Sequence, residues 1–462
     1  MDIPRRREIL MKMRFLPDEP ITKEQEEDVL EFGEFVELLQ NSIYNTETPF
    51  VYGVLGDWGV GKTSILRLLQ NQLAKDVQNG TRSFIPIWFN AWQYENETNL
   101  IYPLLYAIKG DYIHRFKELD KAKSFWKQFT DVALTCTVAF ADLGLRVVTK
   151  QLTGEALKID EVAKQLEMVK ENPGKLEGIL SEWADQVAGL RGAFEGLLEI
   201  YAGDLAMWPG TKIRDKDGVR FVILIDDLDR CLPETTIAIL ECIKNYLTVK
   251  NCVFILGLNP GVIYQGIRVK YKGLEVDGRE YLEKILNYSF YVPEPKLNKV
   301  AEFVTKRFET LVLEDEARTK YKAHFAEFGR ILEECRFNNP RKIKRILNRY
   351  LFFISKNEKD LAKYPNANIV RWILLAEYFP GLFQLFLKNN QTVSTIKEEL
   401  RKIGEPAFDV EGFEKKFGIS IKAIYPQLSR MGKLFDLDLS TTGGKLDPAA
   451  QAQEVFSITR LV

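Results

Sequence analysis

Short continuous apolar runs recur along the chain, at Phe50–Leu55, Phe84–Phe89, Phe221–Ile225, Cys252–Leu258 and Tyr288–Val292. Runs of this length that do not alternate with polar residues predict strands buried on both faces, as in a parallel sheet. The stretches between them place apolar residues at helical spacing. Ile65, Leu66, Leu68, Leu69 and Leu73 follow the first run. Val29, Leu30, Phe32, Phe35, Val36 and Leu39 precede it and predict a helix over 24–43. Strands alternating with helices predict an α/β fold with a parallel sheet covered on both faces.

Residues 103–209 break that rhythm, with helical spacing and no strand. They predict a helical insertion in a core formed by 1–102 and 210–295. Within it, Val132–Val148 is the most apolar stretch of the chain. Asp142 and Arg146 interrupt it at i,i+4 spacing, where they can pair on one helix face. A charge at a bilayer centre costs about 2.5–3.5 kcal/mol, and the run is short for a span. A buried or interface helix is therefore expected, and no membrane partner. Residues 296–360 predict a helical lid, with Asn339 as N-cap and Pro340 at the first helical position. Residues 361–462 predict a further helical region. Its end, from Ser440 through TTGGKLDPAAQAQ, is polar and turn-rich and is expected to be a mobile tail or a partner-dependent segment.

Composition narrows the class. With about 100–200 residues per domain, 462 residues make roughly two to three domains. Sixty-four basic and 65 acidic residues leave a net charge of −1, so no global field points to nucleic acid or an anionic membrane. Five cysteines without paired spacing and two histidines suggest neither a disulfide framework nor a zinc site. The first twenty residues hold basic side chains but no apolar core for a signal peptide. A cytoplasmic protein is expected.

The chemistry is concentrated where the first apolar run ends. Gly56-Asp57-Trp58-Gly59-Val60-Gly61-Lys62-Thr63 fits G-x-x-x-x-G-K-[ST], with Ser64 next. Glycines let backbone N–H groups turn inward around phosphate oxygens, and the helix that follows aims its amino end at them. In such a loop Lys62 reaches the β- and γ-phosphates, and the Thr63 hydroxyl takes a place on Mg²⁺. The third run, Phe221–Ile225, meets Asp226-Asp227-Leu228-Asp229-Arg230. Ligands of open α/β sheets bind at the carboxyl ends of strands. Asp226 is thus expected to hold the Mg²⁺ shell, and Asp227 to orient or deprotonate the attacking water. Asp229 and Arg230 either tie down the loop or face the phosphates. The residues alone leave ATP and GTP open.

Other residues carry weaker expectations. Asn259 ends the fourth run and either starts the Asn259-Pro260-Gly261 turn or faces the γ-phosphate. The basic segment 336–349 is a solvated helix face, a lid that brings Arg341 or Arg345 to the nucleotide, or a nucleic-acid patch with few aromatics. Lys284 approaches a phosphate or pairs with Glu280. Trp58 and Trp92 are expected to pack rather than stack on a base.

Taken together, GDWGVGKTS (56–64), FNAWQYENE (89–97), ILIDDLDRCLP (223–233), YLEKILNYSFYVP (281–293) and NNPRKIKRILNRY (338–350) resemble the KAP family of P-loop NTPases, a branch of the STAND and AAA-like ATPases. They occur in the family's order and cover about residues 18–355. The resemblance implies an ASCE-type strand order, a helical insertion between the Walker A and Walker B segments, a C-terminal helical lid, and switch-like ATP hydrolysis with Mg²⁺. It also implies a γ-phosphate-sensing place for Asn259, where the family tends to carry an acid. Many members insert a membrane hairpin where this chain has Val132–Val148. Bacterial members are associated with phage exclusion. The expected function is an ATP-driven conformational or assembly switch, acting through a homo-oligomer or protein partner. The alternatives are a nucleotide-binding scaffold and a nucleic-acid motor or loader.

Overall fold

The computed structural model describes residues 14–20, 30–95, 101–116, 125, 127–130, 132, 176–207, 212–213, 218–272, 276–312, 315–387, 390–403, 405, 408–431, 433–438 and 446–459. They form two compact units. One spans Gly33–Val292, and the other joins Pro293–Val462 to the segments at 14–19 and 30–32.

The first unit is built on the predicted strands: β1 (Phe50–Leu55), β2 (Phe84–Asn90), β3 (Arg220–Asp226), β4 (Cys252–Leu258) and β5 (Tyr288–Tyr291). All pair in parallel, in the order β2-β3-β4-β1-β5. Parallel neighbours cannot be joined by a tight turn, so each connection is a crossover carrying helix. In chain order these are α1 (Phe32–Tyr44), before β1, then α2 (Lys62–Asn79), α3 (Ile101–Phe116), α4 (Leu176–Met207), α5 (Pro233–Cys242), α6 (Pro260–Lys270) and α7 (Gly278–Ile285). Of the helix predicted over 24–43, residues 24–29 lie outside the described residues, and the described part begins at Phe32 after Glu31 turns the chain at φ 60°.

Two features of the sheet position the site. β4 lies between β1 and β3, and the register sets Leu55 beside Leu258 and Asn90 beside Asp226. The carboxyl ends of four strands therefore emerge along one edge. Gly257 has no side chain where a Cβ would lie 3.0 Å from Leu66 and 3.1 Å from Asp226 Oδ1, so α2 rests closely against β4. The described part of the helical insertion joins the same apolar core. Tyr112 stacks on Phe125 at 3.7 Å between ring centres, and Tyr201 packs on Phe221 of β3. Most of Val132–Val148 lies outside the described residues, among which no helix is long and apolar enough to cross a membrane.

The second unit is helical: α8 (Leu297–Leu311), α9 (Asp315–Glu334), α10 (Pro340–Asn357), α11 (Asn366–Tyr378), α12 (Pro380–Phe386), α13 (Asn390–Arg401), α14 (Val410–Phe417), α15 (Tyr425–Leu428) and α16 (Pro448–Thr459). Asn339 caps α10 as predicted, accepting from the Lys342 amide at 3.1 Å with Pro340 in the first turn. The expected mobile tail is different: 448–459 is a helix, and 439–445 lie outside the described residues. Its anchor is a buried amide pair. Asn368 donates to the Gln451 side chain at 3.0 Å and exchanges bonds with the backbone of Asp438, while Gln451 donates to the Leu446 carbonyl at 2.7 Å. The polar, alanine-rich sequence reads as exposed, yet small residues allow close packing and each buried amide finds a partner.

Asn368→Ala leaves the buried Gln451 oxygen without its Asn368 donor, at about 1–3 kcal/mol for an orphaned group. The expected outcome is faster hydrogen exchange and proteolysis across 446–459, with exchange in the β1–β4 strands unchanged.

Candidate functional site

Residues 56–63 connect the end of β1 to α2. Gly59 and Gly61 take φ of 83° and 113°, left-handed backbone that glycine enters without steric cost. Gly61 caps α2 without any side-chain hydrogen bond. The first N–H groups of a helix lack partners within it and carry its positive end, so this loop presents donors suited to an anion. Lys62 folds back into the loop. Its Nζ donates to the carbonyls of Gly56 at 2.8 Å and Asp57 at 3.1 Å, and lies 3.4 Å from Asp229 Oδ2. Both ionic side chains are buried.

Asp226 ends β3 with 1% of its surface exposed. Burial first, then the charge of Asp227, push its carboxyl up to about 6, and the Thr63 hydroxyl bond opposes them. Its Oδ2 is buried without a hydrogen-bond partner. Asp227 turns the chain in left-handed backbone, φ 57°, which aspartate tolerates better than most residues. One of its oxygens lies 2.7 Å from Arg230 Nε, and the other accepts from the Asn90 amide at 3.2 Å. The Arg230 guanidinium also lies 4.9 Å from the centre of the Trp92 ring. Burial raises the Asp229 carboxyl, and Lys62 opposes that shift.

The fold thus brings Lys62, Thr63, Asp226, Asp227 and Asn259 to one edge of one sheet. Asn259 is buried, and its Oδ1 accepts from the Gly261 amide at 3.0 Å as the N-cap of α6. Arg341 and Arg345 belong to α10 in the other unit, where Arg341 pairs with Asp18 at 2.6 Å and Arg345 is exposed. Lys284 is exposed on α7. Trp58 and Trp92 are 52% and 47% exposed, and Trp92 lies in the short 3₁₀ helix Ala91–Tyr94 after β2, where the Arg230 guanidinium covers its ring. Asn90 was not anticipated. Its signal was present in the polar residue closing the apolar run FIPIWF, the same position Asp226 occupies on β3.

Comparison with known proteins follows this geometry. The model of the KAP family P-loop domain matches residues 32–182 and 209–355. The chain is 21% identical over 381 residues to the phage T7 exclusion protein of Escherichia coli (strain K12), across 77% of this chain and 45% of that protein. It therefore spans less than half the length of that relative. Among solved structures it is similar to the Aeropyrum pernix ORC2 protein in ADPNP–ADP complexes, at 12% identity and TM-score 0.37, over 96% of this chain and 97% of that one. It is also similar to the Thermotoga maritima RuvB Holliday junction branch migration motor, at 9% identity and TM-score 0.29, over 87% and 85%. The strand order stands on the chain's own ladders.

The orphaned Asp226 oxygen beside the Thr63 hydroxyl fits a divalent cation. Mg²⁺ prefers few protein oxygens, with phosphates and waters completing its shell. Without the ion, the buried charge is a cost with a defined pH window. The folded pKa of Asp226 lies above the unfolded value, so the native state binds more protons between about pH 4 and 6. This group's contribution is harmless below the unfolded pKa, and stability falls as pH rises through the folded one. In nucleotide-free protein with chelator, Asp226→Asn should match wild type near pH 4. Above pH 6 it should be more stable, by at most about 3 kcal/mol, as read by urea unfolding at the two pH values.

Proposed function

This chain belongs to the KAP family of P-loop NTPases, and we propose that it binds Mg²⁺-ATP at Gly56–Ser64 and Asp226 and hydrolyses it as a conformational or assembly switch. The observation that carries the reading is the uncapped amino end of α2, with Lys62 folded into the loop before it and the Asp226–Thr63 pair alongside. Gly56, Asp57, Trp58, Gly59, Val60 and Gly61 supply the backbone cradle. Lys62 exchanges the carbonyls of Gly56 and Asp57 for phosphate oxygens, and Ser64 continues the helix end behind Thr63. The cation, when bound, neutralises charge on the phosphates. Asp226 and Thr63 would hold it, and Asp227 orients the attacking water through lone pairs beyond those engaged by Arg230 and Asn90. Asn259 keeps the β4–α6 turn in place beside the terminal phosphate. Arg341 and Arg345 are assigned to response in the helical unit. ATP rather than GTP rests on the family, since the chain has no guanine-reading Asn-Lys-x-Asp segment. The phage-exclusion relative supports a role in antiphage defence, with a second copy or another protein as the responding partner.

A nucleotide-binding scaffold is the second reading. It is favoured by the engagement of both Asp227 oxygens within its own unit. A nucleic-acid motor is favoured less, because Arg341 is already paired with Asp18.

Nucleotide binding, hydrolysis and mass are to be measured for wild type, Lys62→Ala and Asp227→Asn. Losing a charge-assisted contact costs about 1.5–3 kcal/mol, so Lys62→Ala should weaken ATP binding roughly 10- to 150-fold. Asp227→Asn should retain binding and lose roughly 10²–10⁴-fold in turnover. Binding indifferent to Lys62 sinks the site. Tight binding with no turnover in wild type, and an Asp227→Asn chain fully active in cells, establishes the scaffold. Turnover stimulated by single- or double-stranded DNA or RNA at low salt revives the motor.

A further inference from the structure

The segment at 14–19 lies against α10 and the end of α8 through polar contacts. The Arg14 amide donates to the Leu311 carbonyl at 2.9 Å. Asn348 reads both backbone groups of Leu16: its Oδ1 accepts from the Leu16 amide at 2.8 Å, and its Nδ2 donates to the Leu16 carbonyl at 2.9 Å. One turn earlier on α10, Lys344 donates to the Glu19 carbonyl at 2.8 Å. Arg341 pairs with the Asp18 carboxylate at 2.6 Å. Burial holds the Lys344 ammonium below its ordinary range, and Arg307 and Arg341 add to that, while Asp18 and Glu19 oppose it. The basic run noticed in the sequence is thus met by acids that precede it by more than three hundred residues.

Little apolar surface holds this segment. Phe15 is 49% exposed, and Leu16 is only half-buried. Exposed ion pairs contribute about 0–1 kcal/mol and neutral hydrogen bonds about 0.5–1.5, so the attachment is reversible. What lies beneath is a set of donors and one acceptor spaced for a peptide backbone. We propose that the α10 face bearing Arg341, Lys344 and Asn348 is a groove for an extended acidic peptide of a partner protein, which displaces residues 14–19 from it. A peptide is favoured over nucleic acid because Asn348 needs a donor and an acceptor from one ligand residue. A phosphodiester backbone offers acceptors only.

The test uses the full chain with a vacated groove. Leu16→Pro removes the amide that Asn348 accepts from, and Asp18→Arg reverses the ion pair. A labelled, end-capped peptide of sequence MRFLPDEP, residues 13–20, is titrated by fluorescence anisotropy at low salt. A tethered segment competes at an effective concentration on the order of millimolar. The vacated chain is therefore expected to bind the peptide at least about tenfold more tightly than wild type, and Asn348→Ala added to it abolishes the gain. Equal affinity for wild type and vacated chain overturns the proposal, as does binding that survives Asn348→Ala. Displacement of the peptide by a short single-stranded oligonucleotide that binds more tightly makes the face a nucleic-acid site instead. Hydrogen exchange supplies a readout that needs no added ligand. The Leu16 amide of the wild-type chain should exchange slowly, and faster in Asn348→Ala, and exchange at the unprotected rate in wild type refutes cis occupancy.

Discussion

A buried ammonium has to be surrounded by oxygen, and the placement of Lys62 organises the carboxyl edge of the sheet around that requirement. Leaving such a charge unpaired in a dry site is far costlier than any single packing contact. Its partners are two loop carbonyls and Asp229. The carbonyls are available because glycines turn the 56–61 backbone, and Asp229 is available because only β4 separates β3 from β1 in the sheet. At 3.4 Å the pair with Asp229 lacks a well-aligned hydrogen bond, so the lysine is compensated without being locked. The same edge buries Asp226 with an oxygen unpaired. Both groups are held in conditions that an anion and a divalent cation would relieve together, and binding is thereby coupled to local stability.

Much of the fold could be read from residue pattern, for a physical reason. Strands buried on both faces need unbroken apolar runs, and β1 to β4 carry them; β5 carries one too, yet it lies at the sheet edge with Tyr288 and Tyr291 exposed. The order of pairing is different in kind. It depends on which strands share crossovers and edges, and apolar runs of similar composition do not distinguish neighbours. The ASCE-type order came from the family resemblance, and the ladders carry it. The C-terminal helix was misread because its evidence is a satisfied amide pair, Asn368 with Gln451, separated by 83 residues. A polar residue in a helix looks solvated until its partner is known.

The candidate site divides along the same line. Gly59, Gly61, Lys62, Thr63 and Asp226 were legible because each answers a local demand of phosphate or metal chemistry. The Asn90–Asp227–Arg230 contacts were not, because they follow from the β2–β3 register and from a left-handed turn at Asp227. Arg341 shows the converse. A cationic side chain in a basic helix invites assignment to an anionic ligand, yet Asp18 of the same unit already occupies it.

The engagement of Asp227 ties two strand ends together. One of its oxygens meets Arg230 and the other Asn90, and each keeps a lone pair for a further donor. Arg230 also lies over the half-exposed Trp92 ring, a contact worth about 0.5–1 kcal/mol at an exposed site. The restraint on Asp227 is therefore shared between an ion pair, an amide and an indole, each modest. A restraint of that composition is weak in each part, and its indole edge is open to the surface at Trp92.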